Sequence, residues 1–236
     1  TAAAIVRAII ADQGVGSVGV CAPTGKAAVR ITEGLQANGI GMEATTIHRL
    51  LGVNRAGYDG KGWGFSFGPT RPLPYRYILV DEPSMLDCSL AASLFSACSP
   101  GTHVLLTGDP NQLPPVGAGA PLRDFIAAGL PCGTLTEIKR NSGTITEACR
   151  AIREGRKAIP DARIDISSGK NWLHLEKHRA ALAMEAIKST LLQLPTSVEP
   201  IWDCQILCAI KEKGEVSRKE LNSNSQGVLN PHGKSV

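Results

Sequence analysis

The sequence has 236 residues, long enough for one large or two modest domains with a real core. Hydrophobic residues at 43% and charged residues at 19% are ordinary for a globular chain, and aromatics at 4% argue against wide stacking platforms. The formal net charge of +4 leans mildly towards polyanions without selecting them, and no apolar run of about 18 residues or more marks a membrane span. No charged-then-apolar leader opens the chain. Seven cysteines show no CxxC spacing, and Cys21, Cys98, Cys149 and Cys208 sit among small apolar residues. They read as reduced, buried thiols of a cytoplasmic protein.

In chain order, the alanine-rich opening is helical, with Ile5 and Ile9, and Val6 and Ile10, paired on one face. A strand is predicted over Ser17–Ala22, a helix from Lys26 to Ala37 and a short helical stretch over Thr45–Gly52. Residues 54–75, rich in glycine, proline and aromatics, read as an irregular loop or small hairpin. Tyr77–Val80 and His103–Thr107 are buried-strand patterns, Cys88–Ala97 is helical, and Gly133–Ile138 is a further strand candidate. The texture changes from about Asp161: a strand-like NWLHLEK, a helix near Lys177–Leu192, a Pro-flanked loop, a strand-like DCQILCAI and a helix near Ser217–Val228. Strands alternating with helices predict an α/β parallel sheet covered on both faces, with ligands beyond the carboxyl ends of the strands.

The residues just after each predicted strand therefore carry the chemistry. ILVDEPSML ends a strand in two carboxylates, Asp81 suited to holding Mg²⁺ through its water shell and Glu82 to orienting and deprotonating an attacking water. VLLTGDPNQLPPVGAG sets Gly108-Asp109 and then Gln112 between rigid prolines. The Gln112 amide has both a donor and an acceptor, enough to touch a γ-phosphate oxygen and the attacking water together. CAPTGKAAVRI places Thr24 and Lys26 where a strand gives way to a helix, a position that suits phosphate. It lacks the spacer and the Ser or Thr of a nucleotide phosphate loop, so the choice lies between a nucleic-acid contact and a plain helix start. TTIHRLLG adds Thr46 and His48. Of the five histidines only His174 and His178 stand four apart, and with no CxxC in the chain they give no metal site made by protein ligands alone.

DEPSMLD, TGDPNQLPPVGAG and LTEIKRNSGTITEACRAIREG, in that order, resemble motifs II, III and IV of RecD-like superfamily 1 DNA helicases, a likeness covering most of residues 1–160. The resemblance implies ATP and Mg²⁺ as cofactors and Arg140 as an arginine finger reaching the γ-phosphate. Asp81, Asp109, Gln112 and Arg140 then lie at the nucleotide, with Thr1 as the residue just after the family's phosphate loop. It also makes CAPTGKAAVRI and TTIHRLLG contacts to single-stranded DNA through Thr24, Lys26, Thr46 and His48. Leu221, Asn222, Gln226, Leu229, Asn230 and Pro231 resemble the start of the second motor domain, with a departure from the family pattern at Val216–Lys219.

The fold implied is a RecA-like P-loop NTPase sheet over residues 1–160, followed over 161–236 by the beginning of a second α/β motor domain. The first strand and phosphate loop of that sheet are expected to be missing, which would leave two neighbouring strands with unpaired edges, and the 236 residues alone are expected not to turn over ATP. The intact protein is expected to couple ATP hydrolysis to 5′-to-3′ translocation on single-stranded DNA and to unwinding at duplex junctions, away from membranes, with subunits of a helicase–nuclease complex as further partners left open. Two alternatives remain: the helicase part of a conjugative relaxase, and a non-catalytic DNA-binding remnant. Asp81, Glu82, Gln112 and Arg140 together speak against the remnant, because nothing structural demands those four polar groups.

Overall fold

A computed structural model of the chain describes residues 2–54, 64–139 and 141–230. It divides into two compact units, Thr1–Glu137 and Ile138–Val236. This division falls earlier than the change of sequence texture near residue 160.

The first unit alternates helix and strand. Its elements are α1 (Ala2–Gln13), β1 (Val18–Ala22), α2 (Gly25–Gln36), β2 (Thr45–Thr46), α3 (Ile47–Leu50), β3 (Val53–Asn54), β4 (Gly64–Phe65), β5 (Tyr77–Asp81), α4 (Cys88–Ser96), β6 (His103–Thr107) and α5 (Pro121–Ala127). Four strands form one sheet in the order β2-β1-β5-β6, and every pairing in it is parallel. β3 and β4 make a separate antiparallel ribbon, so the small hairpin expected within 54–75 begins and ends as a hairpin; residues 55–63 lie outside the described residues. β5 has a partner on each side, and the outer strands of this sheet among the described residues are β2 and β6.

Alternation along the strands sorts the core into two layers, because successive side chains leave a strand on opposite faces. Val18 and Val20 of β1 and Leu79 of β5 pack with Val6 of α1 and with Ile31 and Leu35 of α2. Cys21, Ile78 and Val80 point to the other face, against Ile47 and Leu51 from the α3 turn and Ala91 and Leu94 of α4. A parallel sheet needs this double cover, since βαβ crossovers place helices on its faces. Gly19 lies on the second face. A β-carbon there would come within 2.8 Å of the Tyr75 ring, so the glycine is what lets that ring lie flat on the strand.

The second unit is helical, with α6 (Thr144–Arg153), α7 (Ala180–Leu192), α8 (Pro200–Asp203) and α9 (Arg218–Leu229). Its best-tied feature is the start of α6. Thr144 Oγ1 donates to Asp161 Oδ2 at 2.5 Å, and Asn171 Oδ1 accepts the Ile145 N–H at 2.9 Å. Gly143, at φ +77, has no room for a β-carbon against the Gly169 carbonyl. Ser217, fully buried, caps α9 by accepting from Glu220 N, so the segment that departs from the family pattern supplies the helix start.

Three expected strands are absent among the described residues. Gly133–Ile138, NWLHLEK and DCQILCAI are non-sheet, and their apolar side chains lie open: Leu135, Leu175 and Leu207 are all exposed. An apolar run becomes a strand only when another strand offers its N–H and C=O groups, and none is adjacent to these. The expectation of buried thiols also needs correction, since Cys149 and Cys208 are exposed. Cys149 follows Ala148 on α6, where the buried stripe is Ala148 and Ala151, and Cys208 lies in the unpaired run. No helix among the described residues is long and apolar enough to cross a membrane.

Cys21 does fit the expectation. Burial pushes its thiol up to about 12, and the nearby Cys98 adds to the rise. With the folded value raised, the unfolded chain ionises first as pH climbs, so stability is lost between the ordinary value of 9.0 and the folded one. The urea midpoint should therefore fall more steeply over that alkaline window in the wild type than in Cys21→Ala. Parallel slopes in the two proteins would contradict it.

Candidate nucleotide and nucleic-acid site

Because all four strands of the sheet run the same way, their carboxyl ends share one edge, and every segment singled out in the first unit emerges there. The order β2-β1-β5-β6 then sorts these segments. Thr24 and Lys26 follow β1, Thr46 ends β2 with His48 just beyond, and β1 and β2 pair at Cys21 with Thr45 and at Ala22 with Thr46. Asp81 ends β5, Thr107 ends β6, and these two residues are register partners. The two candidate DNA segments thus lie side by side on one half of the edge, and the two candidate nucleotide segments on the other.

On the nucleotide half, Thr107 Oγ1 donates to Asp81 Oδ1 at 2.8 Å, while the Glu82 N–H donates to the Thr107 carbonyl at 3.0 Å. Glu82 has φ 54 and ψ 42, the sole described non-glycine residue with positive φ. A left-handed backbone costs an L-residue about 1–2 kcal/mol, and such strain persists only where the surroundings enforce it. Here the enforcement is the bond to Thr107 together with the Pro83–Met85 turn that follows at once. Gly108 completes the fit: a β-carbon on it would lie 2.6 Å from Pro83 Cδ. Further along the same loop, β-carbons on Gly117 and Gly119 would collide with Asp87 and Cys88 at the start of α4. The glycines of TGDPNQLPPVGAG are therefore the places where this loop lies directly against DEPSMLDC.

Asp109 and Gln112 are exposed. Asp109 Oδ1 accepts from the Asn111 backbone and side-chain nitrogens, which shapes the turn that presents Gln112. Arg123 of α5 holds the turn from below, donating Nε to the Pro110 carbonyl at 2.8 Å and Nη2 to the Gln112 carbonyl at 3.2 Å. A small cavity between the segments is lined by residues that include Ser84, Pro110, Gln112, Leu122 and Arg123, and the buried Ser84 hydroxyl has no hydrogen-bond partner among the described residues. Gln112 is thus brought beside the Asp81-Glu82-Pro83-Ser84 turn through Ser84. Arg140 and Thr1 lie outside the described residues.

On the other half, Thr24 caps α2, its Oγ1 accepting from Ala27 N at 3.3 Å, and Thr46 caps α3 by accepting from Arg49 N at 3.2 Å. Both hydroxyls are therefore used in starting helices, as the plain reading of CAPTGKAAVRI allowed, and each keeps its proton free to donate. Lys26 is exposed, and His48 is exposed with its ring 5.9 Å from that of Phe65.

Two contributors were missed in the sequence. Thr107 had a signal, since a hydroxyl ending one strand opposite an acid ending its neighbour is a potential pair once the register is known. Arg123 had none, because its partners are backbone carbonyls distant in sequence. The donor set suits a hard cation: Asp81 is half-buried, Oδ1 takes Thr107, and Oδ2 is uncommitted among the described residues. No group of three or more His, Cys, Asp or Glu converges among the described residues. The single half-buried carboxylate of Asp81 fits Mg²⁺, which takes one or two carboxylates and completes its shell with water and phosphate oxygens.

The AAA domain family model matches residues 1–178. The ATP-dependent RecD2 DNA helicase of Deinococcus radiodurans is 35% identical over 217 residues, covering 91% of this chain and 27% of that protein. The RecBCD enzyme subunit RecD of Mycolicibacterium smegmatis is 35% identical over 163 residues, covering 63% of this chain and 28% of that one. This chain therefore spans about a quarter of the length of these relatives. Among solved structures, Bacteroides Pif1 bound to single-stranded DNA aligns over 86% of this chain and 55% of that chain at 19% identity, with a TM-score of 0.42, too low to add weight. Together with the all-parallel sheet and its cover of helices on both faces, the family match makes the fold RecA-like, and the chain belongs to the AAA domain family, in which it is RecD-like.

Proposed function

We propose that this chain forms part of the motor of a RecD-like, ATP-dependent DNA helicase acting in DNA repair and recombination, with hydrolysis on the β5-β6 half of the sheet edge and DNA contact on the β1-β2 half. The carrying observation is the parallel register that sets Asp81 beside Thr107 and brings the Gln112 loop against the DEPSML turn. Bound ATP with Mg²⁺ supplies a neutralised, electrophilic γ-phosphate. Asp81 would hold the water shell of the ion through its uncommitted oxygen, and Glu82, kept in its left-handed turn, accepts the proton of the attacking water. Gln112 senses the γ-phosphate and passes its presence through the loop to Ser84 and α5. Arg140 acts as the arginine finger, and residues 161–236 begin the second motor domain. The natural setting is the cytoplasm, where thiols stay reduced. The substrates are single-stranded DNA and duplex junctions, either alone or with subunits of a helicase–nuclease complex. A relative bearing the name of a RecBCD subunit supports the latter, and one named simply as a helicase supports the former.

In the full-length protein, Glu82→Gln should retain ATP and DNA binding and lose DNA-stimulated phosphate release by at least about a hundredfold, since the amide is isosteric but cannot take a proton. Near-normal turnover in this variant would remove Glu82 as the base.

Contact through Thr24, Lys26 and Thr46 is to phosphates, so DNA affinity should fall with salt and show little sequence preference. Lys26→Ala should flatten the slope of log affinity against log salt by about one unit or slightly less. An unchanged slope and affinity would return Lys26 to the role of a solvated helix residue.

Direction follows from the RecD likeness alone, because the hydrolytic groups are the same in motors of either sense. Unwinding is expected from a substrate with a 5′ single-stranded tail, measured by strand displacement against one with a 3′ tail. Activity on the 3′ tail only would overturn the 5′-to-3′ assignment.

A further inference from the structure

We propose that Thr107 is a positioning residue for the cation site: its hydroxyl fixes the Asp81 carboxylate so that the second oxygen is presented to Mg²⁺. This rests on the reading of Asp81 as the ion's ligand and goes beyond it by assigning the group that orients the ligand.

The geometry singles out this residue. Thr107 closes β6 directly opposite Asp81, the last residue of β5. Its Oγ1 lies 2.8 Å from Asp81 Oδ1 and 3.5 Å from the Val80 carbonyl, and a hydroxyl has one proton to give. The shorter distance and the charge of the acceptor direct that proton to Asp81, as hydrogen bonds to ionised acceptors are the stronger kind. The bond leaves Oδ1 engaged and fixes the plane of the carboxylate. A carboxylate at the end of a strand, half open to water, otherwise rotates about its terminal torsion with little preference.

The same residue reaches the second acid, since the Glu82 N–H donates to its carbonyl. Gly108, the next residue, fits against Pro83 with no space for a side chain. Thr107 thus joins the turn bearing both acids to the loop bearing Gln112, and a shift of that loop is transmitted to Asp81 through one hydroxyl. A valine in its place would have the same branched shape and suit a strand equally well, so packing and strand propensity do not account for the hydroxyl.

The test is a Mg²⁺ titration of the binding of a fluorescent ATP analogue to the full-length protein, which reads the ion site without turnover. Thr107→Val should raise the half-saturating Mg²⁺ concentration about tenfold, the scale of one hydrogen bond to a charged group. Thr107→Ala, which removes the hydroxyl with less bulk and covers the case of a misfolded valine variant, should do the same. Thr107→Ser, which keeps the donor, should stay within about twofold of the wild type. Wild-type half-saturation in both hydroxyl-free variants would overturn the proposal, and so would a serine variant as impaired as valine, which would trace the effect to the methyl group. Asp81→Asn separates the premises. If it leaves the Mg²⁺ dependence intact, Asp81 is not the ligand and both readings fall; if it abolishes that dependence while Thr107→Val matches the wild type, only the positioning role is lost.

Discussion

The parallel pairing of β5 with β6, residue for residue from Tyr77–His103 to Asp81–Thr107, is the constraint on which the candidate site depends. It ends both strands at the same level, so the turn after one and the loop after the other begin side by side. A slip of one residue would turn every side chain of β6 to the opposite face and remove the partner of Asp81. What resists the slip is the core: Ile78 and Val80, with Val104 and Leu106 of β6, face the α4 layer, while Leu79 faces the α1 and α2 layer. The hydrophobic pattern that holds the domain together is therefore also what aligns the polar atoms at its edge.

The strain at Glu82 belongs to the same arrangement. A left-handed glutamate is unfavourable, yet the chain holds it between a strand end and a proline turn with its N–H bonded across to β6. A glycine in its place would relieve the strain but carry no carboxylate, so the position combines a backbone demand with a chemical one. The glycines at 108, 117 and 119 serve the complementary purpose, removing side chains where the second loop must touch the first. Stiffness on one side and close approach on the other produce a joint with little slack between the Gln112 loop and the acids.

The two halves of the sheet edge also share a logic of capping. Thr24 and Thr46 both start helices from neighbouring strand ends, directing helix N-termini and their uncompensated N–H groups to the same side. That is a favourable setting for polyanion phosphates, and exposed Lys26 adds a positive charge to it. The division between a half bearing helix starts and a half bearing carboxylates follows from strand order, and strand order follows from which connections cross over.

The sequence alone determined the class of fold, the strands at Tyr77 and His103, the helices α2 and α4 to within a residue, and the motif likeness to RecD-like helicases, now matched by the comparisons, while α5 went unread. These are local properties: apolar period, turn residues and the spacing of polar groups after strands. The same local reading misjudged Gly133–Ile138, NWLHLEK and DCQILCAI, because a run with strand composition becomes a strand only when a neighbour supplies its hydrogen bonds. For Thr24 it left a nucleic-acid contact and a plain helix start side by side, and the structure adds that the Thr24 and Thr46 hydroxyls each accept a helix N–H. Only the tertiary structure decided the order β2-β1-β5-β6, the bond from Thr107 to Asp81, the left-handed turn at Glu82 and the grip of Arg123 on the Gln112 loop. Each of these joins residues brought together by pairing register or by a helix packed beneath a loop, and register is set by the whole buried core, which no short stretch of sequence encodes.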